Sequence, residues 1–161
     1  CKFVYVVVLI CMQAIDKTYD EIFRIYEDSN NFGAGLGMQL QEHQPGASTY
    51  QLKITEQHLA TPKAAHGGVL AAFMDGLLGV TALSAVASEN KVVATVEFKI
   101  NFLEPVLVGD VLVGKGKVVR KGSRLVLAEA EVYCKDQLIA TGSGTFNAYP
   151  AHKAGINIKN N

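Results

Sequence analysis

Between Gly67 and Ser88 the chain reads GGVLAAFMDGLLGVTALSAVAS, apolar on every side with a single charge, Asp75, inside it. A helix without a polar face has to be covered all round, either by lipid or by the rest of a domain. Length does not choose between these, because roughly 20 apolar residues suffice to span a bilayer. The choice falls on a soluble core for three reasons: glycines lead and interrupt the segment, a carboxylate sits in mid-span, and amphipathic strands flank it. The segment is therefore read as the centre of a domain, with no membrane partner.

The flanking patterns say what covers it. Upstream, Ile15, Tyr19, Ile22, Phe23 and Tyr26 recur at helical spacing across residues 14–29, with Asp20 and Arg24 placed to pair on the wet side. Gly33 to Gly37 break that pattern. Leu36, Met38 and Leu40 then alternate up to Pro45-Gly46, and Tyr50, Leu52 and Ile54 alternate after it, which reads as a hairpin. Downstream of Asn90 the period is two, with Val96, Phe98, Ile100 and Phe102 on one side, Thr95, Glu97, Lys99 and Asn101 on the other, and Pro105 as the stop. Turns at Lys121-Gly122-Ser123 and Lys135-Asp136-Gln137 define strands near residues 108–120, 123–134 and 138–148.

Those turns predict a register in which Gly116 faces Ala128 and Gly114 faces Ala130, then Ala128 faces Gly144 and Ala130 faces Gly142. One sheet face becomes a trough of small residues. The long helix, with Ala72, Gly76, Gly79 and Ala82, is suited to lie in it. The expected fold is α+β: an antiparallel sheet wrapped around one long central helix, preceded by an amphipathic helix.

At 161 residues the chain suits one domain, expected over residues 13–150. The run FVYVVVLIC near the start is too short to span a membrane, and residues 1–12 are read as an extension upstream of a native start at Met12, with residues 151–161 as a loose tail. Lys plus Arg and Asp plus Glu are 15 each, so no basic surface points to nucleic acid. Cys1, Cys11 and Cys134 fit neither a disulfide framework nor a metal pair, so a reducing, cytoplasmic setting without metal is expected.

Chemistry centres on Asp75. An ionised carboxylate in an uncharged helix costs several kcal/mol to bury unless it is paired, and no Lys or Arg shares the helix. Isolated charges of this kind cluster at functional sites. His66-Gly67-Gly68 opens the same helix, where unpaired N–H groups at the positive end of the dipole suit an oxyanion; the plainer reading of His66 is a capping residue. Gly68 and Asp75 are seven residues apart, about 10 Å of helix rise, so one helix cannot bring both to one carbonyl. Two antiparallel helices from two subunits do, which predicts a symmetric dimer, or a dimer of dimers, with shared sites.

Three strings, HGGVLAAFMDGLLGVTALSA, TVEFKINFLEPVLVGD and RKGSRLVLAEAEVY…QLIATGSGTF, resemble the hot-dog thioesterases of the phenylacetate-degradation (PaaI) type and the thioesterase-superfamily-member proteins, over residues 33–148. The resemblance implies hydrolysis of an acyl-CoA thioester without a cofactor, CoA being part of the substrate. It makes Asp75 the nucleophile or general base, Gly67 N–H the carbonyl donor, Thr95 the hydroxyl that holds water, and His66 an orienting residue. Where relatives carry Asn or Gln as a second carbonyl contact this chain has Ala60, leaving Thr61 or His58 as substitutes. Arg120, Lys121 and Arg124 surround a turn and suit CoA phosphates, or are simply solvated. Phe73, Met74, Leu77 and Phe102 are candidates for an acyl pocket or for core. Two alternatives stand beside hydrolysis: an acyl-CoA sensor without turnover, and a hydratase or dehydratase on the same fold.

Overall fold

The computed structural model describes residues 16–158; the expected upstream extension, Cys1, Cys11 and Met12 lie outside them. Helix α1, Lys17–Ser29, starts where the Asp16 carboxylate accepts the Thr18 and Tyr19 N–H groups at 3.1 and 3.2 Å, and it buries Tyr19, Ile22 and Phe23. The glycine-rich break holds a further turn, α2, Asn31–Gly35, capped by Asn30 accepting Gly33 N–H at 3.1 Å. A hairpin follows, β1 (Met38–Gln44) and β2 (Ala47–Lys53).

Helix α3 spans Gly67–Ser84 and stops short of Ser88. Ser84 turns its hydroxyl back to Thr81 O at 2.7 Å and accepts Gly46 N–H, and a 3-10 turn, Ala87–Glu89, leads to Asn90 at φ 53°. Four strands complete the sheet: β3 (Lys91–Phe102), β4 (Val111–Lys121), β5 (Leu125–Cys134) and β6 (Gln137–Pro150). All pairings are antiparallel, in the order β1-β2-β4-β5-β6-β3. The sheet curls around α3, whose Phe73, Met74, Leu77 and Leu78 are fully buried. By length and composition α3 would cross a membrane; here strands wrap it instead.

The trough exists, with one correction to its register. Ala128 faces Gly144 and Ala130 faces Gly142 as the pattern predicts, but Gly116 faces Ala130 and Gly114 faces Val132. The turn falls one residue later, closed by Gly122 N–H on Leu125 O at 2.7 Å, and β4 bulges between Val118 and Arg120. The glycines still receive the helix. A Cβ on Gly114 would stand 2.5 Å from Leu77 Cδ2, one on Gly142 2.6 Å from Met74 Sδ, and one on Gly116 would collide with Thr81.

Two further expectations are overturned. Strand β3 does not keep one parity: it bulges between Thr95 and Glu97, leaving Val96 59% exposed as the extra residue. Thr95 then pairs with Phe146 and Phe98 with Gly144, so Thr95 joins Phe98 and Ile100 on the helix side. The segment past Pro150, expected to be loose, packs as far as Ile158. A 3-10 turn, Ala151–Ala154, docks through Ala151 N–H on Asn90 O at 3.0 Å, and Ile156 and Ile158 rest on the core.

Candidate active site

Asp75 sits at the middle of α3 and is half-buried within the subunit, not enclosed as a lone charge in the core. Its cost of burial is therefore smaller than the sequence suggests, and a partner meets it. Thr95 Oγ1 donates to Asp75 Oδ1 at 2.9 Å. That contact orients one carboxylate oxygen and leaves the other to act on a ligand.

At the start of α3, His66 is the cap. Its backbone is extended (φ −68°, ψ 135°), and its Nδ1 accepts Gly68 N–H at 2.7 Å. This consumes one of the two glycine amides expected at an oxyanion site. Gly67 N–H is left without a partner among the described residues, and Gly67 lies against the exposed ring of Phe102, its Cβ position 3.8 Å from Cζ. Ahead of the cap, His66 N–H is held by His58 O at 2.8 Å and Ala65 N–H by Val106 O, which fixes where the helix begins.

The remaining candidates separate. Ala60 and Thr61 are exposed on the loop before α3, where Thr61 Oγ1 already accepts Ala64 N–H at 3.0 Å. His58 is 2% exposed, with Nδ1 on Thr55 N–H at 3.1 Å and Nε2 3.3 Å from the Gln57 amide nitrogen, so it has nothing left to offer a substrate carbonyl. Around the β4–β5 turn, Lys121 is ion-paired with Glu89, which also holds Lys91 at 2.6 Å; Arg120 and Arg124 stay exposed without an ion pair among the described residues. Phe73, Met74 and Leu77 are core at 0% exposure, whereas Phe102 is 53% exposed beside Gly67.

Sequence reasoning missed the space next to Asp75. A cavity of about 290 Å³ opens there between α1, α3, the start of β3, the end of β6 and the C-terminal turn. Asp75 and Thr95 stand at its edge, and Tyr26, Gly79, Leu83 and Ile156 line it. Tyr26 is fixed in its wall by hydrogen bonds to Tyr50 Oη at 2.8 Å and from Asn30 at 3.0 Å. Burial foremost, then Tyr50 and the negative charge of Asp75, pushes the Tyr26 phenol well above its ordinary value, so it is a neutral donor or acceptor at all working pH. No sequence signal marks this space, because it needs α1 and the C-terminal turn docked together. A larger hollow, about 470 Å³, lies over β1, β2 and β4 near Glu42 and Lys115 and shares no residue with Asp75's surroundings.

An antiparallel sheet curled round one long helix is the hot-dog fold. Residues 63–141 match the thioesterase superfamily profile. A Saccharolobus solfataricus protein named as an esterase is 30% identical over 115 residues, which cover 71% of this chain and 78% of that protein. Among solved structures, the Escherichia coli PaaI protein from the phenylacetic acid degradation operon superposes with TM-score 0.74 at 20% identity, covering 83% of this chain and 94% of that one. A Streptococcus pneumoniae thioesterase protein solved with coenzyme A gives 0.64 at 20% identity, over 70% of this chain and 86% of that one. The chain belongs to the thioesterase superfamily and is a thioester hydrolase.

Proposed function

We propose that the protein hydrolyses acyl-CoA thioesters with Asp75 as the reacting carboxylate. The observation that carries this is the Thr95 to Asp75 hydrogen bond at 2.9 Å beside an apolar cavity. Asp75 acts as nucleophile on the thioester carbon or as general base on water, with Thr95 fixing its orientation and offering its hydroxyl oxygen to that water. Gly67 N–H polarises the carbonyl, while His66 takes Gly68 N–H and so holds Gly67 in place. The coenzyme A seen with the Streptococcus pneumoniae protein supports CoA as the carrier, with Arg120 and Arg124 the cations available to its phosphates.

Asp75 and Gly67 are eight residues apart on one helix, about 12 Å of rise, so each site takes Asp75 from one subunit and Gly67 from its twin. An unpaired edge favours such an assembly: β3 ends the sheet with 12 residues whose outer side pairs with no strand among the described residues. The buried free thiol of Cys134 suits a reducing compartment such as the cytoplasm.

Thiol release from a panel of acyl- and aryl-CoA substrates tests this reading. Turnover that disappears in Asp75→Ala supports it, and CoA binding without turnover of any ester overturns it in favour of a sensor. Single turnover in heavy-oxygen water separates the two roles, since label entering Asp75 marks the nucleophile.

A further inference from the structure

The cavity beside Asp75 has one charged end and one apolar end. Asp75 and Thr95 form the first, with Phe146 of β6 beside Thr95 as its cross-strand partner; Leu83 of α3 stands at the second. Asp75 and Leu83 are eight residues apart, so the space runs for about 12 Å along the helix. Tyr26 of α1 roofs it and Ile156 of the C-terminal segment closes its side. Apart from Asp75, its lining carries no charge.

Gly79 lies midway along this stripe. Its backbone is ordinary helix, where glycine is less stable than alanine. Packing does not demand glycine there either, since a Cβ would meet Phe146 Cε1 at 3.6 Å, an ordinary contact. Gly114, Gly116 and Gly142 differ in this respect, because each receives a side chain of α3 at close range. What Gly79 preserves is the width of the cavity.

We propose that this cavity is the acyl site, and that it selects an uncharged acyl group of medium length, laid under α1 with its thioester carbonyl at Asp75 and its tail toward Leu83. The assignment rests on Asp75 being the hydrolytic carboxylate. At about 290 Å³ the space holds the acyl group and leaves the CoA nucleotide outside. An acyl group ending in a second carboxylate is disfavoured, because its charge would be buried among apolar side chains with no cation to meet it. Helix α1 and Ile156, which carry no chemistry, thereby set specificity.

Calorimetric binding of the non-hydrolysable thioether analogues of acetyl-, octanoyl- and hexadecanoyl-CoA to the full chain, beside kcat/KM for the matching thioesters, tests this. The octyl analogue is expected to bind best. Gly79→Leu, which projects a side chain into the cavity, lowers the octyl-to-acetyl ratio at least tenfold in both measurements, and Gly79→Ala lowers it less while melting no earlier than the native chain. A native chain that hydrolyses octanoyl-CoA with a ratio unchanged in both variants overturns the acyl site and leaves the hydrolase reading standing. Selective octyl binding that Gly79→Leu abolishes, in a chain that hydrolyses none of the esters, keeps the site and removes the hydrolase reading. Equal binding of all three analogues by the native chain overturns the site outright.

Discussion

Thr95 donates its hydroxyl hydrogen bond to Asp75 at 2.9 Å across the interface between strand and helix. The bulge at Val96 makes this contact available, because in an unbroken alternation with Phe98 and Ile100 Thr95 would face away from α3. A hydrogen bond to a charged group is worth about 1.5–3 kcal/mol, or roughly 10–100-fold in rate when it is needed in the transition state. Thr95→Ala is therefore expected to lower kcat/KM for thiol release by about 10–100-fold, and Thr95→Ser to retain most of it. Asp75→Asn keeps the shape and removes the base or nucleophile, with a loss of about 10²–10⁴. Full activity in Asp75→Asn would exclude this carboxylate from the chemistry.

The role of Gly67 across a dimer has a sharper test. Gly67 is the first residue of α3, a position where proline is well tolerated, and His66 before it already has the extended backbone that proline requires of its neighbour. Gly67→Pro removes the N–H while leaving the helix start in place. Loss of a single oxyanion donor lowers kcat by about 10²–10³, which is the expected effect. Refolding Gly67→Pro together with Asp75→Ala regains activity, because a mixed dimer holds one intact site. Random pairing sets that recovery at about a quarter of the native value. A mixture as inactive as its components would place both groups in one subunit's site.

Packing in the trough depends on Gly116. Thr81 is pinned over it, donating to Leu77 O at 2.7 Å and bonded to Ser48 at 2.6 Å. Gly116→Ala is expected to lose about 1–3 kcal/mol in urea unfolding, as overpacking does. Removing the opposed hydroxyl relieves it, so Gly116→Ala with Thr81→Ala costs less than the sum of the two single changes, by an interaction of about 0.5–3 kcal/mol. Strict additivity would show that the contact is not tight.

Alkaline stability should follow the phenols. Burial foremost, with the charge of Asp20, pushes Tyr19 up to about 12, and burial raises Tyr26 and Tyr50 as well. A group whose folded value lies above its unfolded value of about 10 lends stability that is complete below pH ~10 and lost as the pH climbs through ~12. Near-ultraviolet titration is expected to show the phenolates of these residues appearing together with loss of the fold, and Tyr19→Phe to remove part of that dependence. Ordinary titration of all 6 tyrosines near pH ~10 with the fold intact would contradict it.

Much of the architecture is legible in the residues. Phe73, Met74, Leu77 and Leu78 lie on a helix whose one charge is Asp75, so any soluble fold has to surround them, and the small residues at 128, 130, 142 and 144 mark the surface that does. His66 caps α3, the plainer of the readings its residues allow, because its position directly before a glycine pair and an apolar run is a local signal. The choice between pocket and core for Phe73, Met74 and Leu77 stays open in the sequence for the opposite reason: apolar side chains look alike whether they fill a core, as these do, or line a cavity.

Asp75, Gly67 and the alternation of strands and helix are properties of the chain itself, because hydrophobic period and isolated charge act over a few neighbouring residues. Three things arose only on folding: the bulge that turns Thr95 inward, the docking of the segment from Ala151 to Ile158, and the space that α1 leaves beside Gly79. A bulge depends on how two distant strands share hydrogen bonds, and a cavity on which side chains fail to meet. Both are outcomes of contacts between segments far apart in the chain, which no local pattern encodes.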